Sequence, residues 1–208
     1  PGYKTGGERS FTRLELKTPA PDQSVDLVAT AQTGQVWFGH RHGLIRVDDT
    51  TATSFPLDTK LGRWIRQTLA VDGGGSVWAG SRLENSQQSG GALRFDGSKW
   101  TAYAAGGILP PAHVDRIVAS SDGTVWFSYA WNFDSGFGAS RFDGEKFVHY
   151  TTENGLPDNR VTGIYCDPDG TAWLTLFGNG VAQFDPRTKR FHSFTAGRHR
   201  LAHNVVRD

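Results

Sequence analysis

The side chains best suited to chemistry crowd into a few short stretches. "YAWNFDSGFG" (129–138) sets Trp131, Phe133 and Phe137 beside Asn132 and Asp134, an aromatic shelf with a polar rim. That composition suits a carbohydrate ring or a peptide side chain. The bland alternative is a loop that folds over its own sheet and buries those rings locally. Trp64, flanked by Arg63 and Arg66, is a second candidate, and Arg82 with Glu84 in "SRLENSQQSGG" (81–91) a third, though a solvated loop explains the last pair equally well. These are ligand-binding expectations; no catalytic residue is expected.

Metal and nucleophile readings fare worse. "HRHG" (40–43) offers His40 and His42, but two imidazoles fall short of the roughly three or four ligands of a zinc site. "DPDG" (167–170) lacks the later ligands of a calcium loop and reads as a turn. The one cysteine, Cys166, cannot form an internal disulfide and falls at an inward strand position, as a buried filler. No metal and no cofactor are expected.

Positioning such groups requires a scaffold, and the chain repeats itself. With Trp37, Trp78, Trp126 and Trp173 in register, Gly34, Gly75, Gly123 and Gly170 stand three residues earlier, and Val28, Leu69, Ile117 and Ile164 nine earlier. Each Trp is followed by an alternating segment ending in Asp: "GLIRVD", "GALRFD", "GASRFD" and "GVAQFD", closing at Asp48, Asp96, Asp143 and Asp185. An aromatic comes next, at Phe55, Tyr103, Tyr150 and Phe194. From each of the first three Asp to the next Trp is 30 residues, whereas Trp to its own Asp is 11, 18, 17 and 12. The variation in period therefore sits in one loop of the unit.

Alternation of period two bounded by Asp-Gly and Asn-Gly turns is the signature of hairpins. Four antiparallel strands A to D per unit describe a propeller blade, whose sheet must stack on its neighbours to be buried. The fold class is thus all-β, with complete blades near 24–56, 65–104, 113–151 and 160–195. The four Trp are read as packing between blades, the Asp after strand C as acceptors organising the C–D turn, and His149 and His192 as solvent-facing on strand D. "SFTRLEL" (10–16) reads as the last strand of a preceding blade, and residues 203–208 as the first strand of a following one. The expectation is a partial arc of a propeller of about seven blades. The long B–C segments 81–91 and 129–138 would then emerge side by side with the D–A segments 57–66, 104–113 and 151–160, on one face of the disc.

Composition agrees. Among 208 residues, 26 Gly, 12% aromatics and no Met favour short strands and tight turns. A net charge of +1 provides no basic footprint for nucleic acid, and no apolar run approaches the about 18 residues of a membrane span. No nucleic-acid partner and no membrane contact by this segment are expected. The chain begins at Pro1 without an initiator Met or signal sequence, so a targeting segment has been removed or lies outside it.

The run "NGLPDNRVTGIYCDPDGTAWLTLFGNGVAQFDPRTKRFHSFT" (154–195) resembles the two-component regulator propeller repeat: G-L-P-x-N-x-V, then D-x-x-G-x-x-W, then an apolar-F-D strand and an aromatic strand. Residues 111–151 match moderately, and the first two units mainly through Gly, Trp and the following strand. Leu174 and Leu176 depart from the usual W-I-G-T. The resemblance implies a periplasmic or extracellular sensor propeller, with further blades and downstream signalling domains as its partners in a longer chain. Kinase output would lie outside this segment. The leading reading is a sensor module binding a small molecule or oligosaccharide on the B–C/D–A face. "DGTVWFS" (122–128) also resembles streptogramin lyases, for which His40, His113, Glu84 and Asp134 are the candidates on that face. A protein-interaction platform is the third reading.

Overall fold

The computed structural model describes residues 24–48, 51–61, 63–83, 89–130 and 134–195. Their regular structure is strand, apart from two 3₁₀ turns at Thr59–Leu61 and Thr152–Asn154. Blade 1 contains β1 (Leu27–Thr30), β2 (Val36–His40), β3 (Gly43–Asp48) and β4 (Thr51–Pro56); blade 2 contains β5 (Arg63–Val71), β6 (Val77–Leu83), β7 (Ser89–Phe95) and β8 (Trp100–Tyr103). Blade 3 contains β9 (Val114–Ala119), β10 (Val125–Tyr129), β11 (Ala139–Phe142) and β12 (Phe147–Tyr150); blade 4 contains β13 (Val161–Cys166), β14 (Ala172–Leu176), β15 (Gly180–Asp185) and β16 (Arg190–Phe194). Each blade is a four-stranded antiparallel meander in chain order. The innermost strands touch in sequence, β1 on β5, β5 on β9 and β9 on β13. This is a β-propeller. Segments 10–16 and 203–208 lie outside the described residues.

Three of the four aligned tryptophans fill the seams between described blades, while Trp173 is half-buried against Phe194 of its own blade. Trp78 and Trp126 are fully buried, and each stacks on the strand-D aromatic of its own blade, on Tyr103 at 5.4 Å and Tyr150 at 5.6 Å between ring centroids. Across the seam Trp78 meets Phe127 and Phe142, and Trp126 meets Phe184, all at 5.4 Å or less. Burying one such ring is worth about 4 to 6 kcal/mol. The glycine three before each Trp has φ between +83° and +88° in all four blades, in the region where a β-carbon is strained. Strand-C arginines lie opposite the Trp, Arg46 on Trp37, Arg94 on Trp78 and Arg141 on Trp126; blade 4 has Gln183 there.

The Asp after strand C does what its position implies. Asp96 Oδ1 accepts from the amides of Ser98 and Lys99, Asp143 Oδ1 from Glu145 and Lys146, and Asp185 Oδ1 from Arg187 and Thr188. These bonds hold all three carboxyls below the ordinary range. Cys166 is half-buried beside the blade 3–4 core, and burial, with Asp122 and Asp167 nearby, pushes its thiol up to about 12.

Two readings need correction. Residues 81–83 and 89–91 are not loop: β6 and β7 run on as a long hairpin, which puts Arg82 on a strand. His149 does not face solvent; it is half-buried, with Nδ1 3.0 Å from Ser140 Oγ, which in turn accepts from Tyr129 Oη at 2.6 Å. His192 is exposed.

Candidate functional site

The B–C loop of blade 3 and the D–A segment after it form one structure. Gly138 N donates to Asn159 O at 2.8 Å. At Gly136 a β-carbon would collide with that same carbonyl, so this loop position closes on the segment only as glycine. The segment itself is stiff: Thr151 caps the 3₁₀ turn with Asn154 in a reciprocal capping box, Gly155 ends it at φ +108°, and Leu156 is buried in the blade 3–4 core. Asn159 Oδ1 accepts from Thr152 N at 2.8 Å, tying its far end back.

Between these two walls lies a cleft of about 440 Å³ lined by Asp134, Ser135, Thr152, Asp158, Arg160 and Asn179, with Pro157 and Asn159. Its chemistry centres on the buried Asp158. That carboxylate accepts from Arg160 N at 2.8 Å, Nε at 3.0 Å and a terminal guanidinium nitrogen at 2.7 Å, and from Asn179 Nδ2 at 2.8 Å. Burial pushes the acid up, but the bonds from Arg160 and Asn179 outweigh it and hold the carboxyl below its ordinary range. The same contact, with Asp134 also facing it, raises Arg160, whose guanidinium lies over the Phe177 ring at 5.2 Å. The result is a fixed array of acceptors and donors facing an open volume, with exposed Asp134 at its rim.

The other expected residues are placed unevenly. Trp131, Asn132, Phe133 and Glu84 lie outside the described residues. Phe137 is half-buried and packs on the blade 2–3 core. Arg63 and Arg66 belong to β5 in their backbones; their side chains lie outside the described part. Trp64 is half-buried beneath the guanidinium of Arg41, 3.3 Å above its ring centroid. Arg82 sits near His113 and, after burial, is the second influence lowering that imidazole. The four lyase candidates are dispersed: His40 is buried at the blade 1–2 seam, His113 is beside Arg82 of blade 2, Asp134 is in the cleft against blade 4, and Glu84 is not described. Among the described residues no group of three or more His, Cys, Asp or Glu could hold a metal, and no helix is long and apolar enough to cross a membrane.

Asp158, Arg160 and Asn179 were missed as functional candidates. The available signal was an Asp two residues before an Arg inside a D–A segment.

The family model of the two component regulator propeller matches residues 155–178, from the cap glycine of the cleft wall through strand β14. The chain carries a two-component regulator propeller repeat. Solved structures similar to this repeat-bearing chain include the extracellular domain of a hybrid two-component system from B. thetaiotaomicron (19% identity, TM-score 0.55, 86% of this chain and 23% of that one). They also include virginiamycin B lyase from Staphylococcus aureus (17%, 0.57, 85% and 57%) and PorZ, a surface component of the type-IX secretion system of Porphyromonas gingivalis (16%, 0.59, 92% and 30%). At these identities the likeness is one of fold. The chain spans between 23% and 57% of the length of those proteins. No curated protein matches it in sequence.

Proposed function

We propose that these blades are a ligand-sensing, extracytoplasmic module of a two-component-type signalling protein, binding a small molecule or oligosaccharide on the B–C/D–A face. The observation that carries the reading is the 440 Å³ cleft whose wall is the repeat's own G-L-P-x-N stretch, Gly155 to Asn159. Volumes of roughly 300 to 1,000 Å³ with a few fixed polar groups are typical of small-molecule sites. Carboxylate, amide and guanidinium groups already hydrogen-bonded to one another suit a ligand rich in hydroxyls. The repeat family, and the extracellular placement of the similar two-component protein, support a position outside the cytoplasm. Occupancy would act on the rest of a longer chain by favouring one arrangement of its parts.

The scattered His113 and Asp134 do not favour the lyase reading, because a base and its substrate must share hydrogen-bond reach. The test is binding of an oligosaccharide and metabolite panel, followed by thermal shift and titration calorimetry. A ligand should raise the melting temperature of the wild type, and Trp131→Ala or Asp134→Ala should abolish that rise with the fold intact. A panel that leaves the melting temperature unmoved would overturn the reading.

A further inference from the structure

A second cleft, of about 410 Å³, opens on the seam between blades 1 and 2, where the inner strands meet that face. Its walls are Asp26, Leu27, Arg41, Ile65 and Gln67, with buried His40 at its base. Three observations set it apart.

The first is Arg41. Its guanidinium lies over the Trp64 ring, with Cζ 3.3 Å from the centroid, a contact that restricts the side chain. No carboxylate among the described residues pairs with it, and Asp26, beside it across the β1–β2 pair of the same blade, likewise makes no ion pair there. Two opposite charges thus face one cleft without neutralising each other.

The second is the backbone. In β5 the pairing with β6 jumps from Ile65↔Ser81 to Leu69↔Ala79, so residues 66–68 face Gly80 alone. Within this bulge Gln67 has φ +71°, a left-handed conformation unusual for a side chain that cannot hydrogen-bond locally as Asn does. Bulges and strained residues cluster where a side chain must be re-aimed. The third is position: Asp26, Gln67, Asp115 and Thr162 each stand two residues before the aligned aliphatics, and β9 and β13 skip a partner at Asp115 and Thr162. Every blade therefore presents a polar side chain at this level, and at the first seam, among the described residues, the neighbouring B–C turn adds an arginine stacked on an aromatic ring.

We propose that this seam cleft is a binding site for an apolar α-amino acid, with Arg41 taking the carboxylate, Asp26 the ammonium, and Leu27 and Ile65 the aliphatic side chain. A zwitterion matches two unpaired charges of opposite sign, whereas a simple anion leaves Asp26 repelling it and a neutral polyol hydrogen-bonds both groups but neutralises neither. The site is separate from the cleft at Asp158, so either can fail without the other.

The experiment is titration calorimetry of the protein with L-leucine, L-leucinamide and N-acetyl-L-leucine, for wild type, Arg41→Gln, Asp26→Asn and Trp64→Leu. Melting curves check that each variant is folded, and both charged positions are exposed. Wild type should bind leucine saturably with a Kd of about 1 mM or tighter. The amide and the N-acetyl derivative should each bind roughly 30-fold more weakly, the worth of one charge-assisted hydrogen bond. Arg41→Gln should lose the preference for leucine over its amide, and Asp26→Asn the preference over the N-acetyl form. Trp64→Leu should weaken leucine about tenfold by releasing Arg41. No saturable binding by the wild type, or binding indifferent to Arg41→Gln, would overturn the proposal.

Discussion

Asp72→Ala offers a sharp test of how the blades are held. Asp72 stands six residues before Trp78; its Oδ2 accepts from the indole Nε1 at 2.8 Å, while Oδ1 accepts from Gly74 N at 3.0 Å and Ser76 N at 2.9 Å. Trp78 is fully buried, so the substitution leaves an N–H with no access to water, at a cost of about 1 to 3 kcal/mol. Adding the buried Ser76 amide brings the total to about 3 kcal/mol, or a fall in Tm of roughly 6 to 12 °C for a chain of this size. Denaturant unfolding of Asp72→Ala, Trp78→Phe and the double variant isolates the bond. In the double variant the indole donor is gone while the turn amides are lost equally in both Asp72→Ala backgrounds, so the coupling energy should be about 1 to 2 kcal/mol. Additivity within about 0.3 kcal/mol would refute the assignment.

The remaining predictions rest on separate contacts. In blade 1 the residue six before Trp37 is Ala31, with the same turn bonding as Asp72, and the buried Trp37 Nε1 lacks a partner; Ala31→Asp should add about 1 kcal/mol of stability, read by chemical denaturation. Gly136→Ala should cost about 2 kcal/mol or more, because the loop must lift off Asn159; amide exchange should rise at Gly138 and not at Val161. Asp158 is held below its unfolded value, so its stabilisation is full above the unfolded carboxylate pKa and is lost as pH falls through the lower folded pKa. Asp158→Asn should therefore flatten the acid limb of the stability curve and leave its slope above neutrality unchanged. Cys166, half-buried and with its thiol raised to about 12, should react with a thiol reagent at pH 8 far more slowly than an exposed thiol; labelling of folded protein at the rate of a free thiol would contradict that setting.

Local signals made the scaffold legible. Period-two alternation, the glycine three before each Trp and the Asp closing strand C each act within a few residues, and together they mark out units of four antiparallel strands. What the sequence hid depends on one blade docking against another. Arg41 and Trp64 are 23 residues apart and meet only because the B–C turn of blade 1 lies over the start of β5, where Ile65 N donates to Arg41 O. Asp158 and Asn179 meet across a D–A segment and a tight turn. His149 looks solvent-facing from its strand number, yet cross-strand register places it opposite Ser140. Arg82 was misplaced because the whole lengthened segment 81–91 reads as a B–C loop, whereas its ends are strand, with Gly90 and Gly91 where other backbone passes too closely for a β-carbon.

The central claim is that the repeat's own G-L-P-x-N stretch forms the wall of a ligand cleft. Amide chemical-shift mapping during titration with a hit from the oligosaccharide and metabolite panel tests it most directly. Perturbations concentrated at 134–138, 152–160 and Asn179, saturating together, are the expected result. Saturating shifts confined to the opposite face, at the A–B turns near Gly123 and Gly170, would contradict it.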